Sequence, residues 1–123
     1  PSNTKFFAGT DSAPHSKKVT ECGCAAGCYT APIAPQLYAE AFECSGVDLS
    51  TSHGQESFRR FLCEIGPCFY NFPVSSECFV LKKEKMEVFP VLVGGVGNEN
   101  RLIPLPVGLS EDSSSAYLNW KVL

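Results

Sequence analysis

Cys22-Gly23-Cys24-Ala25-Ala26-Gly27-Cys28 is the stretch of this sequence that most constrains the predicted fold. It places three cysteines within seven residues, and four more follow at Cys44, Cys63, Cys68 and Cys78. A high cysteine density is typical of proteins from oxidising compartments. The sequence therefore predicts a secreted, extracellular protein in which all seven cysteines are disulfide candidates, as three bridges and one odd thiol. The odd thiol would be buried or would join a second chain, which makes a covalent dimer one predicted arrangement.

The same stretch permits a second interpretation, a structural zinc site. Zinc in such sites takes four nitrogen or sulfur ligands in tetrahedral geometry. Cys22, Cys24 and Cys28 could supply three of them and Cys44 the fourth, but no second pair with the usual spacing follows. An intracellular zinc-stabilised interaction module is thus an alternative, whereas the preferred interpretation includes no metal and no cofactor.

Length and composition indicate one domain over residues 1–123, with residues 1–21 as an irregular N-terminal arm. Hydrophobic residues make up 44% and charged residues 19%, which is enough apolar surface for a core. The net charge is -3 and no basic stripe is present, so no nucleic-acid partner is predicted. No apolar run approaches the roughly 20 residues of a membrane span. Because residues 1–5 lack the apolar core of a signal peptide, secretion requires that this is the processed chain.

Two segments have helical periodicity. The first is predicted from Pro35 to Glu43, closed by Ser45-Gly46. The second runs from Ser52 to Ile65, where Ser52 and Gln55 form a capping-box pattern and apolar residues recur on one face. Gly66-Pro67 is expected to end this helix.

The C-terminal half has strand-like patterns. Strands are predicted at Cys68–Phe72, at Glu77–Lys82 and at Lys85–Val93, the last two joined as a hairpin by the polar run between them. Leu118, Trp120 and Val122 alternate with polar residues in a final strand. The predicted fold class is α+β: a small disulfide-stabilised single domain with one or two helices packed on a mostly antiparallel β-sheet.

One group of residues could carry chemistry. His53, Glu56 and Arg60 would share a face of the second helix, where they could act as base, acid and phosphate clamp in a small secreted hydrolase such as a nuclease. An exposed helix face is ordinarily polar, however. The preferred interpretation therefore assigns no catalytic residue.

Aromatic residues are the remaining functional signal. Phe69, Tyr70 and Phe72 crowd a short segment, and exposed aromatic side chains are favoured at protein interfaces. They are the predicted interface residues. With the small size and the cysteines, they favour a secreted, non-catalytic protein that binds an unidentified protein partner, as an effector, an inhibitor, a toxin-like protein or a surface-recognition module.

Overall fold

The computed structural model describes residues 5–15, 19–21, 23–92, 101–109, 111 and 114–123. Within these ranges the helices are α1 (Ala34–Cys44), α2 (Ser52–Arg59), α3 (Ile65–Phe69) and α4 (Leu105–Gly108). The strands are β1 (Val19–Thr20), β2 (Gly23–Cys24), β3 (Leu81–Val88), β4 (Val91–Leu92), β5 (Arg101–Leu102) and β6 (Ala116–Val122). A 3₁₀ turn, Ala31–Ile33, precedes α1, and a π-helical turn, Arg60–Glu64, joins α2 to α3. The glycine-rich sequence Gly94–Asn98, which predicts a turn after the third strand of the C-terminal half, lies outside the described residues.

The described strands form three antiparallel two-stranded pairs: β1 with β2, β3 with β6, and β4 with β5. The pair β3–β6 is the largest and extends from Leu81 opposite Val122 to Val88 opposite Ala116. The predicted hairpin is wrong, because its turn residues lie inside β3, where the register shifts between Lys83 and Met86. Backbone pairing with β6 holds this polar run in a strand, and its charges are compensated at the surface. Glu84 accepts from Lys82 of its own strand at 2.6 Å and from Lys121 of β6 at 3.5 Å.

Helix α1 packs against β6 and forms the centre of the fold. The predicted helix at Pro35–Glu43 is confirmed, and Gly46 adopts a positive φ of 88° just beyond its end. The alternation predicted for the last strand is also confirmed, because Leu118 and Trp120 of β6 are buried. These two residues belong to two separate apolar clusters. One contains Ile33, Val88, Val107 and Leu118, and the other contains Ala39, Leu49, Phe58 and Trp120.

The second predicted helix begins at Ser52, but the predicted Ser52–Gln55 capping box is wrong. Thr51 is the capping residue, and its hydroxyl accepts from the backbone N–H of Gly54 at 3.1 Å. It does not end at Gly66-Pro67 but continues to Phe69, so the predicted strand at Cys68–Phe72 is wrong. The π-helical turn explains the difference. It resets the hydrogen-bond spacing, so that Pro67 enters the first turn of α3, where its missing N–H leaves no bond unmade.

One carboxylate on α1 links this helix to both strands of the pair β3–β6. Glu43 accepts from Lys83 Nζ of β3 at 2.7 Å and from Trp120 Nε1 of β6 at 3.0 Å. The Lys83 hydrogen bond is the main reason that the pKa of Glu43 lies below its ordinary value of 4.5. The ionised carboxylate therefore favours the folded state.

We expect this contact to make part of the stability pH-dependent. A carboxyl with a lowered folded-state pKa stabilises the protein above about pH 4.5 and loses that contribution as the pH falls through its folded-state pKa. Thermal unfolding of wild type and Glu43→Gln should differ most near neutral pH, and the two Tm values should converge toward pH 3. A difference that does not shrink on acidification would contradict this explanation.

The predicted fold class is wrong in its central element, because the described part of the chain contains no disulfide. Six cysteines have free thiols: Cys24, Cys28, Cys44, Cys63, Cys68 and Cys78. Cys22 lies outside the described residues. All of these thiols except that of Cys63 belong to exposed residues, and they are spread over several elements. Apolar packing of α1, α2, β3 and β6 therefore stabilises the described structure without cross-links.

Candidate functional site

An unusual backbone conformation marks the segment Asp11–His15. Asp11 has a φ of 42°, in the left-handed region that few residues other than glycine adopt. In the part of the chain that the structure describes, Asn71 is the other non-glycine residue with a positive φ. Such strain persists only where surrounding contacts enforce it, and it is concentrated at functional sites. Asp11 is also exposed, so its carboxylate can meet a ligand.

The chain following Asp11 is held by hydrogen bonds to a second segment, Ala26–Ala31, that runs in the opposite direction. Ser12 Oγ accepts from the backbone N–H groups of Thr30 and Ala31, each at 3.0 Å. The N–H of Ala13 donates to the carbonyl oxygen of Cys28 at 2.9 Å. His15 Nε2 donates to the carbonyl oxygen of Ala26 at 3.0 Å. We call these two segments together the loop pair.

Gly27 lets the two segments of the loop pair approach closely. Its φ is 104°, and a Cβ at this position would lie 2.4 Å from the Cβ of Ala13. A glycine here meets both requirements, because it tolerates the conformation and leaves room for Ala13. Gly27 of the opening cysteine-rich stretch thus serves close backbone packing.

The loop pair presents a carboxylate and an imidazole, the two side-chain types most often used for general acid–base catalysis. Because a carbonyl oxygen only accepts, the Nε2 of His15 carries the proton that it shares with Ala26. Its Nδ1 is then the ring atom that can bind a ligand or exchange a proton with it. Both side chains are exposed, whereas Ser12 and Ala13 between them are half-buried. The loop pair is thus a hydrogen-bonded loop that carries two exposed ionisable side chains.

Sequence reasoning missed this site. It treated residues 1–21 as an irregular arm and gave His15 no role. The available signal was the short run Asp11-Ser12-Ala13-Pro14-His15, which places a carboxylate and an imidazole four positions apart beside a proline. The backbone conformation that sets Asp11 apart is not readable from that run.

The catalytic residues considered from sequence lie elsewhere, on the helix that begins at Ser52. Glu56 is engaged by Arg59, whose Nε and Nη2 donate to its carboxylate at 2.9–3.1 Å. His53 is exposed and Arg60 is half-buried at the start of the π-helical turn. The structure therefore pairs Glu56 with Arg59 and not with Arg60, the arginine considered from the sequence. No finding tests a catalytic role for His53, Glu56 and Arg60, which stays a prediction.

The zinc site that the sequence suggested as an alternative also stays a prediction. Across the described residues no group of three or more His, Cys, Asp or Glu side chains could hold a metal ion. Cys24, Cys28 and Cys44 belong to those residues and are exposed, whereas Cys22 does not.

The predicted interface residues lie on a continuous aromatic surface. Phe69, Tyr70 and Phe72 are 70%, 60% and 67% exposed. Phe7 packs on the first two, with ring centroids 5.3 Å and 5.8 Å away, and Phe6 beside it is 66% exposed. We call these five residues the aromatic surface. Clustered exposed aromatic side chains of this kind are typical of interaction surfaces.

Comparison with known proteins identifies relatives. The chain is 44% identical over 108 residues to the dihydroorotase of Halorhodospira halophila, which covers 86% of this chain and 28% of that protein. It is 42% identical over 123 residues to the dihydroorotase of Photobacterium profundum, which covers 98% of this chain and 31% of that protein. Its relatives are dihydroorotases. The structure of the Saccharomyces cerevisiae dihydroorotase, solved with 5-fluoroorotic acid, matches 98% of this chain and 30% of its own at a TM-score of 0.67 and 27% identity. No family model matches the chain.

The chain thus spans less than a third of the length of the dihydroorotases it matches. The similarity overturns the predicted secreted, non-catalytic binding protein, its secreted-nuclease and zinc-module alternatives and the predicted secretion, because these relatives are dihydroorotases. Cysteine density misled the prediction, since the described thiols are free.

The predicted partners are not tested by these findings. An unidentified protein partner, the absence of a nucleic-acid partner and a covalent dimer stay predictions, although the dimer loses its premise of one odd thiol among three bridges. None of the described helices has the length and apolarity to cross a membrane.

Proposed function

We propose that residues 1–123 are a segment of a dihydroorotase and contribute part of its active site through Asp11 and His15. The observation that carries the proposal is the 42% identity to a dihydroorotase over a stretch that covers 98% of this chain. A match of that extent leaves almost no part of the chain to another module. The loop pair is the part of the described structure that offers reactive groups in a fixed geometry.

The chemistry of the substrate class suits these groups. Dihydroorotate is a cyclic ureide that carries a carboxylate, and hydrolytic ring opening breaks a C–N bond at an acyl carbon. Water adds to that carbon and loses a proton to a base, while the departing nitrogen gains a proton. We assign the acid–base role to the Asp11 carboxylate, because it is exposed on a strained, enforced backbone. Nδ1 of His15 is placed to contact the ligand, because the other ring nitrogen is committed to Ala26.

The same proposal accounts for the aromatic surface. Every residue from Cys68 to Val80 is exposed, and this run includes Phe69, Tyr70 and Phe72. The matched dihydroorotases contain more than twice as many further residues as this chain. We propose that the part of the enzyme beyond residues 1–123 covers the aromatic surface.

The test uses the complete protein that carries this segment. We expect it to consume dihydroorotate, and we expect 5-fluoroorotic acid to raise its Tm, because a ligand that binds only the folded state stabilises it. 5-Fluorouracil, which lacks the carboxylate, is the matched control ligand and should shift the Tm far less. A complete, folded protein that neither consumes dihydroorotate nor responds to 5-fluoroorotic acid would refute the proposal.

A further inference from the structure

We infer that Ser12 is a positioning residue that fixes the Asp11 carboxylate by anchoring the backbone directly after it. The inference rests on the proposed function, because it assumes that Asp11 acts on the substrate. It assigns a role to a residue that the proposed function does not place in contact with the ligand.

The first support is the conformation of Asp11. A residue with a φ of 42° occupies the left-handed region, which Asp adopts more readily than most residues but less readily than glycine. The conformation is kept only if the chain on either side is held in place. Ser12 is the nearest residue that could hold it, and its side chain is half-buried within the loop pair.

The second support is the pair of donors that Ser12 binds at the start of the 3₁₀ turn that leads into α1. Ser12, 18 residues earlier in the chain, accepts from the backbone N–H groups of Thr30 and Ala31, each at 3.0 Å. A capping side chain at Thr30 would serve N–H groups further along the turn and would leave these two donors without an acceptor. The Ser12 hydroxyl therefore joins the two segments of the loop pair through donors that no local cap would satisfy.

The third support is the connection of the 3₁₀ turn to the core of the protein. The 3₁₀ turn is followed immediately by α1, which packs on β6 within the core. Ile33, in the same 3₁₀ turn, is buried in one of the two apolar clusters. The hydrogen bonds of Ser12 thereby attach the backbone directly after Asp11 to the core. Loss of the hydroxyl would release this attachment and let Asp11 relax toward an ordinary conformation.

The experiment compares Ser12→Thr with Ser12→Val in the complete protein. These two substitutions have nearly the same volume and branching, and only threonine keeps the hydroxyl acceptor. We expect Ser12→Thr to keep kcat within about threefold of wild type and Ser12→Val to lower it by about 10–100-fold, the usual consequence of a misplaced catalytic group. The KM for dihydroorotate should change by less than about threefold in both, because Ser12 does not contact the ligand.

Each outcome decides a distinct claim. Equal losses of kcat in both variants would show that side-chain size matters and not the acceptor, which overturns the inference. Full activity of Ser12→Val would overturn it as well. A rise in KM without a fall in kcat would assign Ser12 to ligand binding, against the inference. If the wild-type complete protein is inactive on dihydroorotate, the proposed function fails first and the inference fails with it.

Discussion

Replacing Asp11 with Asn lowers kcat for dihydroorotate by about 10²–10⁴-fold in the complete protein, the range expected when a general acid or base is lost. Asn keeps the size of the side chain and tolerates the positive φ at least as well as Asp does. The variant therefore removes the charge and the proton-accepting group with little effect on the backbone. We expect its Tm to stay within a few degrees of wild type, so that the loss is chemical and not structural.

The matched control is Asp48→Asn, another exposed aspartate in the loop between α1 and α2. Asp48 Oδ1 accepts from the N–H of Ser50 at 2.8 Å and from its hydroxyl at 2.7 Å, and the amide oxygen of Asn can accept the same bonds. This variant should retain wild-type kcat. Steady-state kinetics and thermal unfolding of the two variants measure both expectations. An Asp11→Asn protein with more than a tenth of wild-type kcat would remove Asp11 from the chemistry.

Replacing Trp120 with Ala destabilises the protein by about 3–5 kcal/mol, the range for truncating a large buried aromatic side chain. Trp120 is 8% exposed and packs with Ala39, Leu49 and Phe58 between the helices and the main strand pair. Its Nε1–H also donates to Glu43. The substitution therefore opens a cavity and deprives the carboxylate of one of its two donors.

Tyr117→Ala provides the control within the same strand. Tyr117 is 54% exposed, with Lys85 3.9 Å above its ring and Glu87 accepting from its hydroxyl at 3.2 Å. Truncating this exposed aromatic residue should cost no more than about 1 kcal/mol. Denaturant unfolding monitored by far-UV circular dichroism gives both values. Equal losses of stability in the two variants would contradict the assignment of Trp120 to the core.

The elements that sequence predicted correctly are those whose signal is local. The apolar periodicity of Pro35–Glu43, the start at Ser52 and the alternation around Trp120 each depend on residues close together in the chain. The errors arose where distant residues decide the outcome. Lys82–Lys85 resembles a turn in the sequence, and it forms a strand because β6, more than thirty residues later, pairs with it.

The candidate site could not be predicted from the sequence for a related reason. Asp11 acquires its significance from a backbone angle enforced by residues 26–31, and a single sequence does not show which segments lie opposite each other. Cysteine content was the most conspicuous feature and the most misleading one. Its association with secretion is a statistical regularity about compartments and not a property of the thiol itself.

The π-helical turn at Arg60–Glu64 has a consequence for tolerance to insertions and deletions. Such a turn contains one residue more than a regular α-helical path, and each residue turns the helix by about 100°. Deleting one residue there would restore an uninterrupted α-helix and swing Phe69 and Tyr70 by that angle, away from the ring of Phe7. Pro67 would then fall in a helix interior, where its ring collides with a carbonyl one turn earlier. We therefore expect a change in the number of residues in this turn to disrupt the structure more than a substitution of its side chains.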